Sequence, residues 1–456
     1  MNKQFKKIWS SLPLLPVLAL LILPAPNTAK ANKNNTPVEL NIAFEEYELP
    51  NGLHVILHQD KSVPVVVTSV MYHVGAKNES PDRTGFAHFF EHLLFEGTKN
   101  IKRGEWDKIV DENGGTGNAS TSNDRTYYFL TFPSNNEELA LWMEAERMRH
   151  AVINQTGVDT QREVIKEEKR YTMDNMPYGN MFPVLQQHLF TQHPYRWSTI
   201  GSMEHLDKAT LAEFRNFYKK FYVPNNATLV IAGNINPAQT KEWVEKYFGS
   251  ISKGDAVVQP AVKEEPITTG GQFKTTDRNI DIPAYMFAYR TPSKKEKDAY
   301  VLDMIAAHLS SGKSNTLYKE LINTGNAIEF SVINESFEDY GIFLYYVLPI
   351  GQSSKQSVEK TFDVEIQRLQ NNLISEEEYQ KLQNQLAANF VNSLSSMENI
   401  AESLATYRVL YGNTNLINEV VKKYRSITRE DIQAVAKKYL NPNQRIVIDY
   451  LPADRN

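Results

Sequence analysis

The sequence predicts an α+β protein of two homologous domains, each an antiparallel or mixed sheet layered with helices. Three observations predict it. Thr210 to Pro224 (TLAEFRNFYKKFYVP) aligns without gaps to Thr428 to Pro442 (TREDIQAVAKKYLNP), with the threonine, both lysines and the proline coinciding. Each copy runs into a β-rich stretch, Ala227 to Ala232 and Arg445 to Tyr450, and a repeat this long marks two related domains rather than a solenoid. Within each half, β-rich runs alternate with helical ones, the pattern of sheets covered by helices. Finally, Ser252 to Gly271 carries Gly254, Pro260, Pro266, Gly270 and Gly271 with few apolar residues, the composition of a join. The expected organisation is a first domain over 32–251, a join over 252–271 and a second domain over 272–456.

The N-terminal segment 1–31 reads as an export signal. Lys3, Lys6 and Lys7 precede an apolar core from Leu12 to Leu23, and Ala29-Lys30-Ala31 supplies a small-x-small cleavage site. Pro13, Pro16 and Pro24 interrupt an apolar run too short to span a bilayer. The expected product is cleaved near Ala31 and exported to a bacterial periplasm or beyond the cell, without stable membrane insertion. An uncleaved anchor is the competing reading. The chain has no cysteine, which excludes disulfides, thiol-linked lipid and a thiol nucleophile. A formal net charge of −5 and no long basic run argue against nucleic-acid partners.

In the first domain, His88-Phe89-Phe90-Glu91-His92 places two imidazoles and a carboxylate within about one helical turn. Positions i and i+4 stack on one helix face, so His88 and His92 can converge on one ion while Glu91 reaches the same side. The order H-x-x-E-H is the inverzincin pattern. Phe86-Ala87 before it and Leu93-Leu94-Phe95 after it predict a largely buried helix, where these polar groups are costly without a partner. Catalytic zinc usually takes three protein ligands and keeps one open position, so a third ligand lies elsewhere. Glu168, in the helix-forming run Gln161 to Arg170 (QREVIKEEKR), is the candidate, although such a run by itself reads as a solvated face.

The stretch Tyr47 to Thr98, with Leu49-Pro50-Asn51-Gly52-Leu53, Tyr72-His73-Val74-Gly75 and Gly85 through Thr98, resembles the pitrilysin/insulysin/processing-peptidase family of zinc metallopeptidases. The likeness continues through Gly117-Asn118-Ala119, Asp124, Thr126, Tyr128, the Glu168 helix and His193-Pro194-Tyr195. The resemblance implies one Zn2+ held by His88, His92 and Glu168, with Glu91 as general base. Family spacing favours Glu168 over Glu167. Gln161 stands where many members carry another glutamate, a departure that touches the surroundings of the site and removes no ligand. By the same resemblance Asn118 and Ala119 lie on an edge strand that pairs with substrate backbone; read without it, the segment is an ordinary edge strand.

The second half has lost the motif. Its helix from Tyr300 to Leu309 carries only His308, with Asp303 five residues earlier and off that face. Family members that close the site use an arginine followed by a tyrosine from such a domain, and the matching segment Leu321 to Phe330 contains neither. The resemblance therefore implies half of a peptidase clamshell: the metal-bearing subunit of a heterodimer, whose family-related partner supplies the arginine and tyrosine. The expected activity is zinc-dependent endopeptidase cleavage of peptides or short unfolded segments, and no G-x-S-x-G elbow suggests a serine mechanism. The alternative is a catalytically weak structural or chaperone-like member that acts as a partner scaffold.

Overall fold

The computed structural model describes residues 40–454 other than 314 and 352, so the expected export signal lies outside the described residues. Two mixed sheets organise the chain. The first contains β1 (Glu45–Glu48), β2 (His54–Gln59), β3 (Val65–Tyr72), β4 (Thr116–Thr121), β5 (Thr126–Pro133) and β6 (Ala227–Gly233), in the order β1-β2-β6-β3-β5-β4. The second contains β7 (Gly271–Asp277), β8 (Ala284–Thr291), β9 (Ala327–Ser336), β10 (Gly341–Pro349) and β11 (Ile446–Pro452), in the order β7-β11-β8-β10-β9. Apart from the extra β1 the two orders correspond strand for strand. In each, the last strand inserts beside the first in parallel and beside the second antiparallel. The α+β class is thus the architecture observed, with both sheets mixed.

The sequence repeat is the step that inserts this last strand. Thr210 and Thr428 cap the helices Leu211–Phe221 and Arg429–Tyr439 through reciprocal capping boxes with Glu213 and Asp431. The box satisfies backbone donors that a helix start leaves unpaired. Pro224 and Pro442 then open a short 3-10 turn that leads directly into β6 and β11.

One face of each sheet packs on helices of its own half, and the other face is covered by the opposite half. Ile56, Val67, Met71, Val230 and Ala232 of the first sheet pack against Met397, Ile400, Ala401, Leu404 and Ala405 of the helix Met397–Tyr411. Reciprocally, Met181, Leu185 and Leu189 of the helix Met181–Leu189 pack on Met286, Ala288, Leu344 and Ile448 of the second sheet. The two halves therefore share cores.

Of the segment expected as a join, 252–271, residues 252–270 run without helix or strand, and Gly271 already begins β7. The segment is tied down along its length. Gln259 accepts from Asn78 and donates to the His73 carbonyl, at 2.8 and 2.9 Å. Glu264 pairs with Arg290 at 2.8 Å and accepts the amides of Gln192 and His193.

Candidate metal centre

The H-x-x-E-H pentapeptide lies on the helix Phe86–Leu93, and its aromatic side fixes its rotation. Phe86 and Phe89 meet Phe214 at ring-centroid distances of 4.7 and 4.4 Å, and Phe90 stacks on Phe217 at 5.5 Å. Phe214 and Phe217 belong to the first copy of the repeat; the corresponding residues of the second copy are Ile432 and Val435. With the phenylalanines held on one side, His88, Glu91 and His92 project from the other.

The start of this helix is tightly built. Gly85 holds it with φ +96°, and a Cβ there would stand 2.7 Å from the Ile200 carbonyl oxygen, so a side chain is excluded by both backbone conformation and space. The carboxylate of Glu79 supplies the cap that Gly85 cannot, accepting the amides of Gly85 and Ala87 at 2.8 Å each. Burial pushes the Glu79 carboxyl up to about 8, against the pull of those amides and of His88.

The helix Gln155–Lys169 supplies the third group. Asn154 caps it by accepting the Gly157 amide at 2.8 Å, and Gly157 packs where an added Cβ would lie 3.4 Å from Leu93. Glu168 faces the imidazoles: Oε1 is 3.5 Å from His88 Nε2, and Oε2 is 3.1 Å from His92 Nε2. Its neighbour Glu167 is exposed and pairs with Arg170 instead. One donor atom from each of His88, His92 and Glu168 lies within 4.8 Å of the others.

This spacing fits a small divalent ion. Donors about 2.0–2.2 Å from tetrahedral zinc stand roughly 3.3–3.6 Å apart, and one donor from each of the three residues lies within 4.8 Å of the others, so the set could close on one ion. Glu168 Oε2 is buried without an aligned hydrogen bond, as groups turned toward a common ligand are. Burial opposes a charge on His88, yet Glu168 outweighs it and pushes the imidazole up to about 9. In turn, burial works to raise Glu168, but His88 holds its carboxyl well below the usual range. A cation entering the cage would replace the proton that this contact otherwise retains.

Glu91 is half-buried beside the cage, and Thr121 Oγ1 donates to its Oε2 at 2.7 Å. Thr121 ends β4, which among the described residues pairs with β5 alone and so leaves its outer edge open. Asn118 and Ala119 lie on this edge strand, the first half-buried and the second buried, and the Ala119 amide donates to Asn118 Oδ1 at 2.9 Å. Gln161, about two helical turns before Glu168, donates to Glu96 Oε1 at 2.5 Å. His308 stands apart on the helix Lys297–Ser310 of the second half.

The structure brings His88, His92 and Glu168 together, and beside them stand groups that the sequence does not mark. Glu79 and Thr121 carry no motif; the signal for Glu79 is an acid shortly before a helix whose cap position, Gly85, has no side chain to accept its first amides. His73, Asp124, His193 and Tyr195 stood out by resemblance without a role. They converge on Lys77 with Glu338 and Asp339 from the second half.

Residues 54–202 match the family described as insulinase (peptidase family M16), and residues 208–386 match the peptidase M16 inactive domain. The chain belongs to the M16 peptidase family. Among its M16 relatives, the zinc protease PqqE of Helicobacter pylori is 29% identical over 413 residues, 90% of this chain and 93% of that protein. The crystal structure of a protease from Helicobacter pylori shares this M16 fold with a TM-score of 0.85 at 29% identity, over 90% of this chain and 100% of the other. The periplasmic protease PqqL from Escherichia coli matches with a TM-score of 0.74 at 17% identity, over 90% of this chain but 48% of PqqL. The fold described here is thus about half of the PqqL chain.

Proposed function

We propose that this M16 chain is a zinc-dependent endopeptidase subunit that hydrolyses peptides or short unfolded segments. The observation that carries the reading is the convergence of His88, His92 and Glu168 beside Glu91. Zinc bound there would act as a Lewis acid, making water easier to deprotonate and polarising the scissile carbonyl. His88, His92 and Glu168 would hold the ion. Glu91, oriented by Thr121, takes a proton from the attacking water and returns it to the leaving amine. The open edge of β4 at Asn118 and Ala119 receives substrate backbone as an added strand, so affinity comes from main-chain hydrogen bonds.

The partner is a family-related subunit that brings the arginine and tyrosine absent from Leu321 to Phe330. The twofold length of PqqL supports two such halves acting together. Residues 1–31 direct the chain to export, with a periplasmic or extracellular site of action. The rival is an inert scaffold, suggested by the match of 208–386 to a domain described as inactive. A scaffold has no use for a half-buried cage of ionisable groups.

The test is to purify the chain alone and together with a family-related subunit that carries the arginine and tyrosine, and to measure zinc and peptide cleavage. The expected result is about one equivalent of zinc, cleavage by the pair, and loss of cleavage with retained zinc in Glu91→Gln. A zinc-free chain, or a Glu91→Gln pair as active as the parent, overturns the proposal. Full activity from the isolated chain removes the partner from it.

A further inference from the structure

The turn between β9 and β10 reaches from the second half into the first and ends in a buried ion cluster. Lys77 is 2% exposed, and its Nζ stands 2.6 Å from Glu338 Oε2, 3.1 Å from Asp339 Oδ2 and 3.2 Å from Asp124 Oδ1. Glu338 also bonds His73 Nε2 at 2.7 Å and Lys295 Nζ at 3.0 Å. The Glu338 amide donates to Asp124 Oδ2 at 2.9 Å, and the Asp339 amide donates to the Tyr195 hydroxyl at 3.0 Å.

Both first-half segments gripped by this turn lead into the metal centre. Lys77 lies two residues before Glu79, whose carboxylate caps the helix that carries His88, Glu91 and His92. Asp124 lies in the turn after β4, three residues beyond Thr121, the hydrogen-bond donor to Glu91. The two segments are also joined to each other, because Ser122 and Asn123 carbonyls accept the amides of Ala76 and Lys77 at 3.1 and 2.9 Å.

We infer that Glu338 and Lys77 form a positioning latch, through which the metal-free half sets the placement of the motif helix and of Glu91. The inference rests on the peptidase reading for its kinetic arm only. A salt bridge buried at this depth is weak evidence for stability, since desolvation offsets much of the attraction; fixing one arrangement is the role better matched to its cost. Near-ångström displacement of a catalytic group is enough to slow a reaction strongly, so the latch bears on turnover more than on substrate affinity.

The experiment uses the full chain, with its partner where cleavage is measured, and compares Glu338→Gln, Lys77→Met and the double variant. Amide exchange at Gly85 and Ala87, read in folded protein, tests the latch without reference to activity. Loss of the latch is expected to raise exchange at these two amides about tenfold, while amides of β11 keep the parental rate. In cleavage, kcat falls roughly tenfold with KM within about twofold and zinc retained, and the double variant is no slower than the slower single. Parental exchange at Gly85 and Ala87 in both folded single variants overturns the latch, as does parental kcat. If the parent neither binds zinc nor cleaves peptide, the peptidase proposal fails, and the exchange result still decides the latch. A variant that does not fold is replaced by Glu338→Asp, read by the same two amides.

Discussion

Thr121→Val isolates the orientation of the proposed base. The substitution exchanges one hydroxyl for a methyl group and keeps a β-branched residue at the end of β4, so the strand pairing with Thr126 is retained. What is lost is the 2.7 Å donation to Glu91 Oε2. A hydrogen bond to a charged group contributes about 1.5–3 kcal/mol, and the half-buried position of Thr121 places this one near the lower end. Expressed wholly in the transition state, that is roughly a tenfold fall in kcat, since about 1.4 kcal/mol corresponds to a factor of ten. Zinc content and KM should stay near parental values, because the Thr121 hydroxyl bonds Glu91 rather than any of the three proposed ligands. The assay is hydrolysis of an internally quenched peptide by the reconstituted pair, beside metal analysis of the same preparation. Unchanged kcat with zinc in place refutes the assignment of Thr121 as the group that aims Glu91; loss of zinc shows that the bond maintains the cage instead.

Three further outcomes follow from the same geometry. Phe214→Ala removes the ring on which Phe86 and Phe89 rest and should cost about 3–5 kcal/mol in denaturant unfolding, a loss below about 1 kcal/mol counting against the aromatic buttress. Zinc added to metal-free protein at about a hundred times its Kd should stabilise the fold by about 2.7 kcal/mol; the shift should vanish in His88→Ala, and an equal shift in that variant would place the metal elsewhere. Burial tends to raise the Glu338 carboxyl, but His73 and Lys77 outweigh it and hold it well below 4.5. A carboxyl depressed in the folded state contributes stability above its unfolded value and loses it as pH falls toward the folded one. Parent protein should therefore lose stability more steeply than Glu338→Gln below about pH 4.5, and identical acid slopes would remove Glu338 from the account.

What the residues alone determined was local. The spacing of His88, Glu91 and His92 placed them on one side of a turn, because helical geometry acts over four residues and needs no partner. The paired segments beginning at Thr210 and Thr428 disclosed two related halves, since a capping box, a short helix and a following proline are written in consecutive positions. The helix that carries Glu168 was legible from composition, whereas the direction its carboxylate faces was not.

The tertiary structure decided which surfaces meet. An apolar stripe shows that the helices Met181–Leu189 and Met397–Tyr411 are buried on one side, yet either sheet could satisfy it; the chain sends each helix to the opposite half. Strand order, too, comes from long-range pairing, and it alone leaves β4 on an edge beside Glu91. Glu79, Thr121, Lys77 and Glu338 belong to no motif because each acts on a group brought near only by folding. Hydrophobic burial is non-directional and specifies that a face be covered, whereas ion pairs and hydrogen bonds have short reach and fixed geometry, so their partners become known only when the halves are docked.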